Sequence, residues 1–176
     1  MQQHLVISLI SDDKPGVVEK LSAVVAENGG NWEDSRMAHF AGKFAGILRV
    51  SVPSDSCQNL KDALGELAGD GFKLVIEEAV AVAAGPQQTV TLKLVGNDRP
   101  GIVREISRAL AARNINMEQL ETGYDSTPWS GEPLFTAECV ITVAEDMDFD
   151  GLRDELDEIA NELGVEIDCE EIASTL

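Results

Sequence analysis

One stretch of twelve residues occurs twice, and that repetition constrains the chain more than any other feature. Residues 7–18 read ISLISDDKPGVV and residues 92–103 read LKLVGNDRPGIV, an offset of 85 positions. The likeness continues in register beyond the motif. Leu21 pairs with Ile106, Ser22 with Ser107, Val25 with Leu110, Asn31 with Asn116, Trp32 with Met117 and Glu33 with Glu118. A chance match would not hold register over that length, so the chain reads as two copies of one supersecondary unit. The 176 residues then divide into two domains, 1–84 and 85–176, each of a size that folds around its own core.

Within a copy, the apolar periodicity changes along the chain. Leu5, Ile7 and Leu9 alternate with polar neighbours, the period of a strand with one buried face. Asp12-Asp13-Lys14-Pro15-Gly16 interrupts that pattern. Val17, Val18, Leu21, Val24 and Val25 then recur at helical spacing until Asn28-Gly29-Gly30. Proline suits a first helical turn, and an aspartate just ahead of it is expected to cap the free N–H groups there. Residues 31–37 and 44–52 read as strands around a turn at Ala41-Gly42-Lys43. Pro53-Ser54-Asp55 opens a second helix with Leu60, Ala63, Leu64 and Leu67 on one face, and residues 72–76 form a fourth strand. The second copy repeats the order: strand 90–95, helix 102–113, strands 116–122 and 135–143, a helix with Leu152, Leu156, Ile159 and Leu163, and strand 165–169. Two right-handed βαβ crossovers in one sheet predict an α+β, ferredoxin-like βαββαβ unit in tandem, each unit a four-stranded antiparallel sheet with two helices on one face. The small, uncharged residues 81–88 read as a linker.

The net charge of −19 is unevenly spread: residues 132–171 hold fifteen acids and one base, Arg153. Nucleic acids are bound by clustered Lys and Arg, so direct DNA contact is not expected of this half. The acidic surface suits either solubility or a basic protein partner. No apolar run reaches 18 residues, so no membrane-spanning helix is expected. The first residues lack a basic leader segment, and the expected location is cytoplasmic. Cys57, Cys139 and Cys169 have no metal-ligand spacing, and only His4 and His39 are present. Neither a phosphate-binding loop, a dinucleotide fingerprint nor a nucleophile elbow occurs. No cofactor, metal or enzymatic activity is expected.

The two turns, Ser11-Asp12-Asp13-Lys14-Pro15-Gly16-Val17-Val18 and Gly96-Asn97-Asp98-Arg99-Pro100-Gly101-Ile102-Val103, each join a first strand to a first helix. In that context they resemble the ACT domains, small regulatory modules that mostly sense amino acids, and the resemblance covers both copies. It implies ligand-binding residues at Asp12, Asp13, Gly16, Val17 and Val18 and at Asn97, Asp98, Gly101, Ile102 and Val103. Physical chemistry agrees with that implication. A helix N-terminus offers N–H donors to a carboxylate, an adjacent aspartate suits an ammonium group, and glycine permits close approach of a ligand or another backbone. Lys14 and Arg99 are expected to be solvated.

The loop at residues 123–133 is six residues longer than its counterpart, and Tyr124 and Trp129 within it are candidate lid residues. Trp32 is expected in the core, and His39 is read as a strand surface residue or a groove-lining one. A stand-alone tandem pair resembles ACT-only regulators of glycine cleavage genes. That implies a small amino acid as ligand, with glycine or serine favoured, a protein partner such as a transcriptional activator, and a homodimer. The alternatives are a detached regulatory subunit of an amino-acid metabolic enzyme, or a structural dimerisation module whose turns bind nothing.

Overall fold

The structure, a computed structural model, describes residues 1–79, 87–126, 133–144 and 147–172. The chain divides into two compact units, Met1–Val82 and Ala83–Leu176. Unit 1 comprises β1 (Gln2–Asp12), α1 (Val17–Glu27), β2 (Asn31–Phe40), β3 (Lys43–Pro53), α2 (Cys57–Glu66) and β4 (Lys73–Glu78). Its strands form one antiparallel sheet in the order β2-β3-β1-β4. Unit 2 repeats this with β5 (Gln87–Asn97), α3 (Ile102–Ala112), β6 (Asn116–Ser126), β7 (Pro133–Ala144), α4 (Phe149–Leu163) and β8 (Val165–Ile172), in the order β6-β7-β5-β8. No described helix is long and apolar enough to cross a membrane.

Alternation along β1 sends Leu5, Ile7 and Leu9 under the helices and leaves Val6, Ser8 and Ile10 on the other face. Helix α1 meets the sheet through Val17, Leu21 and Val25, and α3 through Ile102, Ile106 and Leu110, position for position at the repeat offset. Each such side chain contributes about 2 kcal/mol on burial, which is why these positions stay apolar in both copies while the solvent-facing ones diverge. Trp32 and Met117 are partly buried and pack against their respective cores. The strand containing each has a register shift at the same place, Trp32/Asp34 in β2 and Met117/Gln119 in β6. The repeat therefore extends to a β-bulge, a feature that re-aims a strand.

One expectation needs correction, and two positions gain a packing account. Residues 123–126 are not loop: they extend β6, which pairs with β7 out to Ser126 opposite Pro133. Thr122 and Tyr124, residues that favour strands, stand opposite Ala137 and Phe135 and carry the pairing outward. Tyr124 is thus an exposed strand residue; Trp129 lies outside the described residues. The replacement of Ser11 by Gly96 also has a packing cause. A Cβ on Gly96 would sit 2.4 Å from Val165 Cγ1 and 2.9 Å from Val165 Cα, so the first residue of β8 excludes any side chain there. Finally, Cys57 opens α2 but is buried in the core of unit 1, which removes it from solution reagents.

Candidate functional site

The two motif turns have the same backbone design. Gly16 and Gly101 are the N-cap residues of α1 and α3, with φ of 92° and 105°. This left-handed region is open to glycine and costly for other L-residues. No chain atom lies within 4 Å of a Cβ built on either glycine. Backbone conformation therefore demands glycine at these positions, and of the two close approaches expected from sequence, a ligand or another backbone, that by another part of the chain is not seen. In each turn the residue before the Lys/Arg-Pro-Gly segment is tied to the neighbouring hairpin: the Asp13 N–H donates to Gly42 O (3.3 Å), and the Asp98 N–H donates to Pro133 O (3.0 Å).

Neither α1 nor α3 has a side-chain cap, contrary to the expectation that the aspartates would serve. Each aspartate's strand-end tether holds its backbone ahead of the turn, and Gly16 and Gly101 occupy the capping position instead. Helix α4 provides the contrast: its Asp148 side chain accepts from Gly151 N at 3.0 Å. Helix α2 also lacks a side-chain cap behind Ser56, so an open N-terminus alone distinguishes nothing. The motif turns differ in combining an open N-terminus, a left-handed glycine and an adjacent carboxylate. Val17 and Ile102 point into the cores, whereas Val18 and Val103 remain exposed beside the turn.

The basic residue of the motif has a role in the fold that sequence reasoning missed. Lys14 Nζ donates to Asp70 O (3.5 Å), just beyond α2, and Arg99 Nη2 donates to Glu162 O (2.7 Å) near the end of α4. Each cation meets carbonyls at the end of its unit's second helical segment, where the backbone dipole favours positive charge. The signal was present in the sequence: both copies retain a cation at a turn where solvation alone would not require one.

The remaining candidates divide unequally between the units. Asp12 is exposed and paired with Lys43, its register partner on β3; the Lys43 hydrogen bond, and then its charge, hold the Asp12 carboxyl below the usual carboxylate range. In unit 2 the same rung holds Asn97 opposite Leu134, so the ion pair has been replaced on both sides. Asp13 faces His39 of β2, with Oδ2 3.6 Å from Nδ1. Asp98 is exposed and has no ion-pair partner among the described residues.

A hollow of about 20 Å³ reaches Ile102 and Val103 at the second turn, and two others lie on the sheet faces that the helices leave uncovered. One of about 170 Å³ in unit 1 is lined by Val6, Asp34, Arg36, Ile47 and Arg49, and one of about 390 Å³ in unit 2 by Lys93, Val95, Glu121, Thr136 and Glu138. The outer face of unit 2 is strongly acidic: one rung across the sheet reads Glu121, Glu138, Lys93, Asp168, with Lys93 paired to Glu170 at 2.7 Å. In unit 1 the corresponding rung reads Arg36, Ile47, Ser8, Val75, and the face exposes Val6, Ile10, Ile47 and Val75 among fewer acids. No group of His, Cys, Asp and Glu among the described residues is arranged to hold a metal ion. Burial pushes the Cys139 thiol up to about 11 and raises Cys169 as well, which leaves both thiols poor nucleophiles.

Residues 3–71 match the family model described as the ACT domain. That match lies within the first unit, and the second unit repeats its fold. The chain's similarity extends to the glycine cleavage system transcriptional repressors of Escherichia coli (strain K12) and Shigella flexneri, each 23% identical over 121 residues. Those matches cover 68% of this chain and 64% of the relatives' length, a little under two thirds. A crystal structure of a protein of unknown function from Galdieria sulphuraria is 29% identical, with a TM-score of 0.88 over 98% of this chain and 100% of that one. Another, provisionally named as a glycine cleavage system transcriptional repressor, is 21% identical, with a TM-score of 0.72 and 99% of both chains covered. The latter shares the tandem fold.

Proposed function

We propose that this chain is an amino-acid-responsive regulator of glycine cleavage that acts in the cytoplasm through a protein partner and not by contacting DNA. The observation that carries the reading is the repeated turn: an uncapped helix N-terminus opening on Gly16 or Gly101, with Asp13 or Asp98 beside it. The N–H groups at Val17-Val18 and Ile102-Val103 suit a carboxylate, and the aspartate suits an ammonium group. A zwitterion needs both within a few ångströms. The similarity to named glycine cleavage repressors makes glycine, then serine, the first ligands to test.

An exposed turn holds a ligand weakly, since contacts with charged groups in water contribute little. A second surface is needed to cover the bound amino acid, and ligand binding would then be linked to association. The exposed Val6, Ile10, Ile47 and Val75 on the outer sheet face of unit 1 support self-association. The acidic outer face of unit 2 supports a partner with a basic surface, in keeping with a transcriptional activator. Calorimetric titration with glycine and serine tests the proposal. Saturable heat, reduced by Asp13→Ala or Asp98→Ala, is expected; absence of heat for every amino acid would refute it.

A further inference from the structure

His39, Asp13 and Gly42 form a closed ring in unit 1. The Gly42 N–H donates to His39 Nε2 at 3.1 Å, and the Asp13 N–H donates to Gly42 O at 3.3 Å. The third side sets His39 Nδ1 3.6 Å from Asp13 Oδ2. An imidazole nitrogen that accepts a backbone N–H carries no proton. The neutral ring therefore keeps its proton on Nδ1, the nitrogen that faces the carboxylate. This tautomer is assigned from the hydrogen-bond pattern.

A second proton on the ring must go to Nε2, and that displaces the Gly42 N–H. It also makes the ring a cation beside Asp13. The other charged groups around the turn are committed: Asp12 is paired with Lys43 on β3, and Lys14 reaches to Asp70 O. Asp13 is the carboxylate left to respond to His39, and it is also the one assigned above to a ligand's ammonium group. At the equivalent position unit 2 has Tyr124, which stands opposite Phe135 as His39 stands opposite Phe44. A phenol stays neutral across the range in which imidazole gains its charge.

We infer that His39 makes ligand binding in unit 1 proton-linked, because a proton on His39 and the ammonium group of an amino acid compete for Asp13. The inference rests on the reading that Asp13 holds that ammonium group. Acid then weakens the unit 1 site and leaves the unit 2 site unchanged, so the two turns respond to different conditions. Linkage is reciprocal: a bound amino acid makes His39 harder to protonate by the same factor. The ligand class follows from the competition, since a molecule without an ammonium group, such as N-acetylglycine, has nothing to set against the imidazolium.

Calorimetric titration of the full-length protein with glycine tests the inference. In an Asp98→Ala background, glycine affinity is expected to fall about threefold between pH 7.5 and 5.5, the size of coupling usual for an exposed pair, and His39→Gln to abolish that fall. An affinity that is the same at both pH values, or a fall that persists in His39→Gln, overturns the inference and leaves the ligand reading intact. No glycine binding at pH 7.5 defeats the ligand reading and the inference together.

Discussion

Replacing Gly16 separates two explanations of the motif glycine that predict opposite orders of damage. With φ at 92° and no atom within 4 Å of a built Cβ, the only penalty for a side chain is conformational. Alanine in the left-handed region costs roughly 1–2 kcal/mol, partly offset by about 0.4–1 kcal/mol because the unfolded chain also loses freedom. A net loss near 1 kcal/mol lowers the melting midpoint of a unit this size by about 4–8 °C. Asparagine visits the left-handed region more readily, so Gly16→Asn should cost less than half as much although it is the larger residue. Gly96 provides the opposite case: a Cβ there collides with Val165, so Asn should be at least as harmful as Ala, with overpacking costs of about 1–3 kcal/mol. Calorimetric melting of the full chain, with amide exchange in β1 to assign the transition to unit 1, measures all four variants. Gly16→Asn proving more harmful than Gly16→Ala would refute the conformational account and restore close approach as the reason for the glycine.

Arg99→Ala should lower the melting midpoint of unit 2 by a few degrees, as befits loss of one exposed hydrogen bond of about 0.5–1 kcal/mol to Glu162 O. It should leave glycine affinity in unit 1 unchanged; a loss of binding there, with no change in melting, would contradict its role as a strut. Because Lys43 holds the Asp12 carboxyl below its ordinary value, that pair contributes stability above the unfolded-state value, lost as pH falls through the folded one. Asp12→Asn should therefore lower stability slightly at neutral pH and flatten the acid limb of a stability-pH curve, the two curves converging once the carboxyl is protonated. The thiol of Cys139, raised to about 11 by burial, should resist a disulfide reagent at pH 8 until the chain is unfolded; rapid native labelling would show that the core of unit 2 opens readily. Ile47→Asp on the outer face of unit 1 should reduce the mass measured by light scattering if that face mediates self-association, and an unchanged mass would remove it from consideration.

Much of the architecture was legible because the same signal was written twice. Leu21 and Ile106, or Val25 and Leu110, fix the buried helix stripes by spacing alone, and agreement between copies excludes an accidental pattern. What escaped was determined by contacts across the fold. The link between Lys14 and Asp70 spans 56 residues and that between Arg99 and Glu162 spans 63, distances at which a single sequence carries no pairing information. His39 looked like an ordinary strand residue because the hairpin that brings the Gly42 N–H to its Nε2 is visible only in the register of β2 and β3. The length of the β6–β7 hairpin was misjudged for another reason: Gly123 and Asp125 are typical of turns, and pairing with Thr136 and Leu134 overrode that local preference. The Asp-Lys/Arg-Pro-Gly motif was readable as a helix start, but its composition gave no sign that the helix would go without a side-chain cap.

The central claim is that the two motif turns bind an amino acid, and backbone amide NMR of the full chain during a glycine titration tests it most directly. The account predicts saturable shifts centred on Gly16, Val17 and Val18, on Gly101, Ile102 and Val103, or on both sets, lost at the corresponding turn in Asp13→Ala or Asp98→Ala. Saturable shifts confined to the outer sheet faces, around Ile47 or Glu138, with both turns unmoved, would contradict it.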